Sequence, residues 1–169
     1  KRWHKIGFER AKRYDYAGAI AAFKQAYKLE PRAVLLCNIG LAYKEWKRLP
    51  QAHRFLSRCT RELPAAATYR ARFQKLLAAT LHQLRSGSFA AVSVEAAPAG
   101  VVVAVRGFAV DETIPAPQTV WLPFGEHELV FRLAGHVTAK RSLNINSAAA
   151  TRVRVELKPT PRITEPPKL

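Results

Sequence analysis

The side chains of this 169-residue chain that could bind a metal or carry out acid–base or nucleophilic chemistry are few: five histidines, two cysteines and twelve carboxylates. A metal site or a catalytic pair needs such groups at spacings that place them together. His4, His53, His82, His127 and His136 lie far apart and show no ligand spacing with one another or with Cys37 and Cys59. The sequence contains no nucleophile elbow, no phosphate-cradling glycine loop and no paired-carboxylate motif. It therefore reads as a non-enzymatic protein, with no catalytic residue, no metal and no cofactor expected. Its chemistry must lie in the surfaces its elements present.

Those surfaces are strongly basic. Residues 1–86 carry 19 Lys and Arg against 5 Asp and Glu, a net +14, whereas residues 87–169 carry 9 against 7, a net +2. A field of this sign attracts acidic proteins, anionic polymers, lipid headgroups or nucleic acid without choosing among them. With 49% hydrophobic residues the chain can bury a core. No apolar run approaches the roughly 20 residues needed to span a bilayer as a helix.

The elements that position the charge fall into two kinds. Shifting the chain by 33 residues against itself aligns Gly7 with Gly40, Ala19 with Ala52, Phe23 with Leu56, Ala26 with Cys59 and Pro31 with Pro64. Helical spacing of Tyr16, Ile20, Phe23 and Tyr27, and again of Ala52, Phe55, Leu56 and Cys59, predicts two helical hairpins with small residues at their close crossings. Asp15 is placed to cap the second helix, and Pro50 opens the fourth. Trp3, Gly7, Ala19, Phe23, Ala26 and Pro31, followed by NIGLAY at 38–43, Ala52 and Pro64, resemble the tetratricopeptide repeat (TPR) over residues 1 to about 65. Arg10, where that family usually has an aromatic, and Cys59, where it prefers Ala, depart from the pattern. An array of two hairpins leaves an apolar end, and the amphipathic stretch 65–85, with Tyr69, Phe73, Leu76, Leu77, Leu81 and Leu84, is the expected capping helix.

After Ser86, Gly87 and Ser88 the period changes from 3.6 to 2. Val92 and Val94, then Leu129, Phe131 and Leu133, then Val153, Val155 and Leu157 alternate with polar or outward residues, and short strands between PAG, RGF, PFG and AGH turns predict a small antiparallel Ig-like β-sandwich. PAGV at 98–101, VAVRG at 103–107, Thr113, Pro115, PFGEHELVFRL at 123–133 and Gly135 resemble the PEGA domain, a module of bacterial exported and cell-envelope proteins. Arg106 stands in place of that family's usual Asp, and His136 where an aromatic is commoner. The expected organisation is thus α + β in two domains: TPR-like hairpins with a capping helix over 1–86, the PEGA-like sandwich over 89–158, and a Pro-rich tail at 159–169 that is a linker or disordered end.

Cys37 and Cys59 fall on opposite helices of one hairpin, so a bridge is topologically possible. Helix pairing usually holds Cα atoms near or beyond the bridging limit of about 7 Å, and two unpaired thiols are expected.

The TPR resemblance implies a concave groove lined by the first helix of each hairpin. His4, Lys5, Phe8 and Lys12 of one unit, Asn38, Leu41 and Lys44 of the next, and Arg70 and Gln74 of the capping helix would form its wall. In relatives that grip peptide C-termini, Asn at the place of Asn38 and nearby basic groups clamp a carboxylate, and Lys5, Asn38 and Arg70 are the corresponding donors here. On this reading Asn38 is exposed in the empty protein. The function expected is a protein-interaction or scaffold module of the bacterial periplasm or cell envelope, its basic groove binding an acidic protein segment. The alternative is a polyanion binder, contacting nucleic acid or an anionic envelope polymer through exposed Lys and Arg such as Arg54, Arg58 and Arg61. A subunit that positions an enzyme would look the same.

Overall fold

A computed structural model describes residues 2–161. They divide into two compact units, one running through Phe89 and the other starting at Ala90.

The first unit is helical: α1 (Arg2–Lys12), α2 (Tyr16–Leu29), α3 (Ala33–Glu45), α4 (Leu49–Glu62) and α5 (Arg70–Ser86), each packed on the next. The turns α1–α2 and α3–α4 repeat at the 33-residue shift even where the letters differ. Tyr14 and Lys47 both take left-handed backbone, φ 61° and 62°. The N–H groups of Tyr14 and Asp15 donate to the carbonyls of Ala11 and Arg10, as those of Lys47 and Arg48 do to Lys44 and Tyr43. A single left-handed residue reverses the chain while it satisfies the carbonyls that the helix end leaves open. Asp15 then caps α2, its Oδ1 accepting from the Gly18 N–H at 2.9 Å. Each hairpin closes at a glycine. A Cβ on Gly7 would run into the Phe23 ring, and one on Gly40 would lie 2.8 Å from Leu56 Cγ. Phe23, Leu35, Leu36, Ile39 and Leu56 are fully buried in one core, and each such side chain contributes roughly 1.5–3 kcal/mol.

The close crossing at Gly40 corrects the expectation for the cysteines. In an antiparallel hairpin, stepping three residues back on α3 and three forward on α4 leads from the Gly40–Leu56 contact to Cys37 and Cys59. Their Cα atoms lie 4.9 Å apart, and the two form a disulfide. Gly40 lets the backbones approach inside the bridging range, whereas the usual interhelical spacing presumes a side chain there.

The second unit contains β1 (Phe89–Ala97), β2 (Val102–Val105), β3 (Ile114–Pro115), β4 (Gln118–Pro123), β5 (Gly125–Arg132), β6 (Ala139–Ile145) and β7 (Thr151–Glu156). They form a three-stranded sheet, order β4-β1-β7, and a four-stranded sheet, order β3-β2-β5-β6. Val92, Val94, Leu122 and Val155 of the first share one core with Val103, Leu129, Phe131 and Ile145 of the second. The four-stranded sheet is antiparallel throughout, but β1 and β7 pair in parallel, Val92 opposite Thr151 through Ala97 opposite Glu156. This departs from the wholly antiparallel arrangement expected. Alternation of apolar residues states which face of a strand is buried and is blind to its direction. Gly107, φ 95°, supplies the positive φ of the turn after β2.

The expected tail does not begin free. Val137 N–H donates to the Lys158 carbonyl at 2.8 Å, and Thr160 N–H to that of Gly135 at 2.9 Å, around an antiparallel bridge between His136 and Pro159. The rest of that segment, 162–169, lies outside the described residues.

Candidate functional site

On α1, Lys5, Phe8 and Lys12 are spaced by three and four residues and so share a face. Phe8 is 43% exposed and forms an edge-to-face contact with the buried Phe23 ring, centroids 5.4 Å apart. With Ala11, Tyr16, Leu41, Ala42, Asn38 and Glu45 these two rings line a cavity of about 170 Å³ among α1, α2 and α3. That volume suits one apolar side chain, with Asn38 and Glu45 as its polar groups.

Asn38 is not exposed as expected. It is 8% accessible, and its Nδ2 lies 3.2 Å from His4 Nε2. Nε2 therefore accepts from the amide and carries no proton. His4 also packs edge-on to Phe8, centroids 4.7 Å apart. Burial lowers the His4 pKa from its ordinary value, and the charge of Arg32 lowers it further, both favouring the neutral ring that Asn38 requires. His4 and Asn38 thus brace α1 against α3 beneath the cavity.

The remaining residues of the expected groove divide. Lys5 and Lys12 are exposed along α1, with Lys12 Nζ 3.3 Å from Glu9, and Lys44 is half-buried one residue before Glu45. Arg70 and Gln74 line a different cavity, of about 420 Å³ between α4 and α5, together with Thr60, Arg61, Leu77, Ala78 and Leu81. The two cavities share no residue. Arg70 Nη1 donates to the Leu63 carbonyl, which ties the start of α5 to the end of α4. The three donors Lys5, Asn38 and Arg70 are therefore not gathered at one point. Tyr16 and Glu45 belong to the first cavity and escaped the sequence reading. The helical spacing of Leu41 and Glu45 is the signal that could have placed Glu45 on that wall.

Away from the first cavity, Arg58 Nη2 donates to Tyr27 Oη at 3.2 Å and pairs with Glu62 at 3.3 Å, a tie between α2 and α4. Among the described residues no three His, Cys, Asp or Glu side chains converge as a metal site would need, and no helix is long and apolar enough to cross a membrane. No protein-family model matches the chain, and none of the curated proteins is significantly similar to it in sequence.

Proposed function

We propose that the chain is a non-enzymatic interaction module whose helical unit holds an acidic protein segment, seating one apolar side chain of that segment in the cavity between Phe8 and Leu41. The observation that carries this reading is the pairing of an open, mostly apolar cavity with Lys5 and Lys12 on either side of Phe8. An apolar anchor gives such a complex its affinity, and the flanking ammonium groups select carboxylates and speed encounter. The repetition of glycine crossings and left-handed turns at the 33-residue shift supports a pair of TPR-like units, and two sheets around one core support a PEGA-like partner domain. The Cys37–Cys59 bridge supports an oxidising compartment, as in the bacterial periplasm or cell envelope. The ties of Arg58 to Tyr27 and Glu62 weigh against a free polyanion-binding face.

The test is anisotropy of a labelled ten-residue Glu-rich peptide bearing one central Phe, against the same peptide with Ser there, and against mixed-sequence DNA, over a salt series. The Phe peptide should bind more tightly than the Ser peptide, and Lys5→Glu with Lys12→Glu should weaken it at least about tenfold, as for charges facing a bound partner. Tight DNA binding at physiological salt, with the steep logarithmic salt dependence of counterion release and no preference for Phe over Ser, would replace this reading with the polyanion one.

A further inference from the structure

The second unit has an edge of its own. β6 is the last strand of the four-stranded sheet and β7 the last of the three-stranded one. They are joined at one end by residues 146–150. At the other, Lys158–Thr160 pair with Gly135–Val137 just ahead of β6. The two strands thus run along the same side of the unit.

That side carries most of the unit's positive charge. Between residues 90 and 161 there are seven Lys and Arg, and five of them, Lys140, Arg141, Arg152, Arg154 and Lys158, lie within 139–158, where Glu156 is the only acid. The other residues of that span hold Arg106 and Arg132 against Glu95, Asp111, Glu112, Glu126 and Glu128. A unit that is nearly neutral as a whole therefore has a net +4 edge and a net −3 remainder.

The backbone of β6 can be oriented residue by residue. Arg106 N–H donates to the Glu128 carbonyl at 3.0 Å, so Glu128 and its even-numbered neighbours on β5 turn their backbone groups toward β2. The odd ones, His127, Leu129 and Phe131, turn theirs toward β6, where they face Leu143, Arg141 and Ala139. Lys140, Ser142 and Asn144 are left with N–H and C=O directed off the sheet, where the Lys140 carbonyl accepts from Arg141 Nη1 at 3.0 Å, a bond that an added strand would replace. β6 is exposed along most of its length.

We infer that the β6 edge is a strand-addition site for an extended acidic segment of a partner protein, which pairs with the outward backbone of Lys140, Ser142 and Asn144 while its carboxylates meet the Lys and Arg of β6 and β7. Main-chain hydrogen bonds supply affinity in this mode and side-chain charge supplies selection. A second copy of this chain is the wrong occupant, because two such edges repel; lysines on an edge strand prevent that self-pairing. The carboxylates beside β6, Glu126 and Glu128, lie one strand in, with Glu128 3.9 Å from Lys140 Nζ. On β7, Arg152 Nε pairs with Glu95 of β1 at 3.2 Å, which leaves Arg141, Arg154 and Lys158 as the edge cations without an ion pair among the described residues. The site is independent of the helical cavity.

The probe is an eight-residue peptide alternating Glu and Val, without any aromatic, titrated into the full chain. It should bind, and N-methylation of alternate residues should abolish binding on one set of positions and spare it on the other, since only one edge of the added strand meets β6. Ser142→Pro removes an outward N–H without touching a bond to β5 and should weaken binding about tenfold or more, one lost main-chain bond together with the displaced approach. Lys140→Glu with Arg152→Glu should weaken it similarly and cannot act through the backbone, whereas Lys5→Glu with Lys12→Glu should leave it unchanged. The inference is overturned if both N-methylated peptides bind like the parent, or if the peptide responds to Lys5 and Lys12 instead. It is equally overturned if sedimentation shows the chain self-associating through an edge that Ser142→Pro disrupts.

Discussion

Removing the Asn38 amide separates a brace from a ligand-binding group. In Asn38→Ala the His4 Nε2 loses its donor in a half-buried position, at a net cost of about 0.5–1.5 kcal/mol, with a further cost for the vacated volume on a side chain 8% exposed. The higher helix propensity of Ala returns up to roughly 0.7 kcal/mol. The expected loss is about 1–2 kcal/mol, read from urea unfolding of the full chain at pH 7.5 and followed at 222 nm, where the helical unit dominates. A double-mutant cycle with His4→Ala should show a coupling of at least about 0.5 kcal/mol, as for groups in contact. The pair also has a signature in pH. Burial, then Arg32, hold the folded pKa of His4 below its ordinary 6.5, so on acidification the unfolded chain takes up the proton first. This contribution is complete above pH 6.5 and is lost as pH falls below it, and Asn38→Ala should make that decline shallower. A loss under about 0.5 kcal/mol, the usual range of an exposed substitution, or an additive cycle would refute the bracing role.

Other perturbations address other links. Replacing both Cys37 and Cys59 by Ala should cost about 3 kcal/mol, the loop-entropy value for a 22-residue separation, measured as a shift in urea midpoint. Gly40→Ala should destabilise by about 1 kcal/mol or more despite its better helix propensity, because the new methyl meets the buried Leu56 side chain and backbone; a stabilised variant in thermal melts would show that the crossing yields. His53 has a pKa lowered by burial and then by Arg85, so it too withdraws stability as pH drops below 6.5. His53→Gln should flatten the melting-temperature profile between pH 7.5 and 5.

Much of the helical unit was legible because its constraints are local. Gly7, Gly40, Ala19 and Ala52 announce close crossings, and Asp15 announces a helix start. The Tyr14 and Lys47 turns were not legible, since neither residue type favours left-handed backbone and only the hairpin geometry demands it. Arg70 was misplaced because the path of residues 63–69 decides which face of α5 meets α4, and helical period cannot describe a turn. Asn38 was read as an exposed clamp because its partner, His4, is 34 residues away and becomes a neighbour only when α1 stacks on α3. In the second unit the buried faces followed from alternation. β6, with few apolar residues, and the parallel β1–β7 pairing depended on contacts that no local pattern encodes.

The cysteine bridge has a mechanical consequence. Tension applied at the two ends of the chain passes through the Cys37–Cys59 bond and bypasses the 22-residue span between them. The first hairpin has His4 and Ala26 at the positions equivalent to Cys37 and Cys59, and its helices can be drawn out in full. At about 3.3–3.6 Å per residue, the withheld segment amounts to roughly 75 Å of contour. An oxidised chain stretched to its limit would therefore stop about 70 Å short of a reduced one, with the turn between α3 and α4 carrying no load.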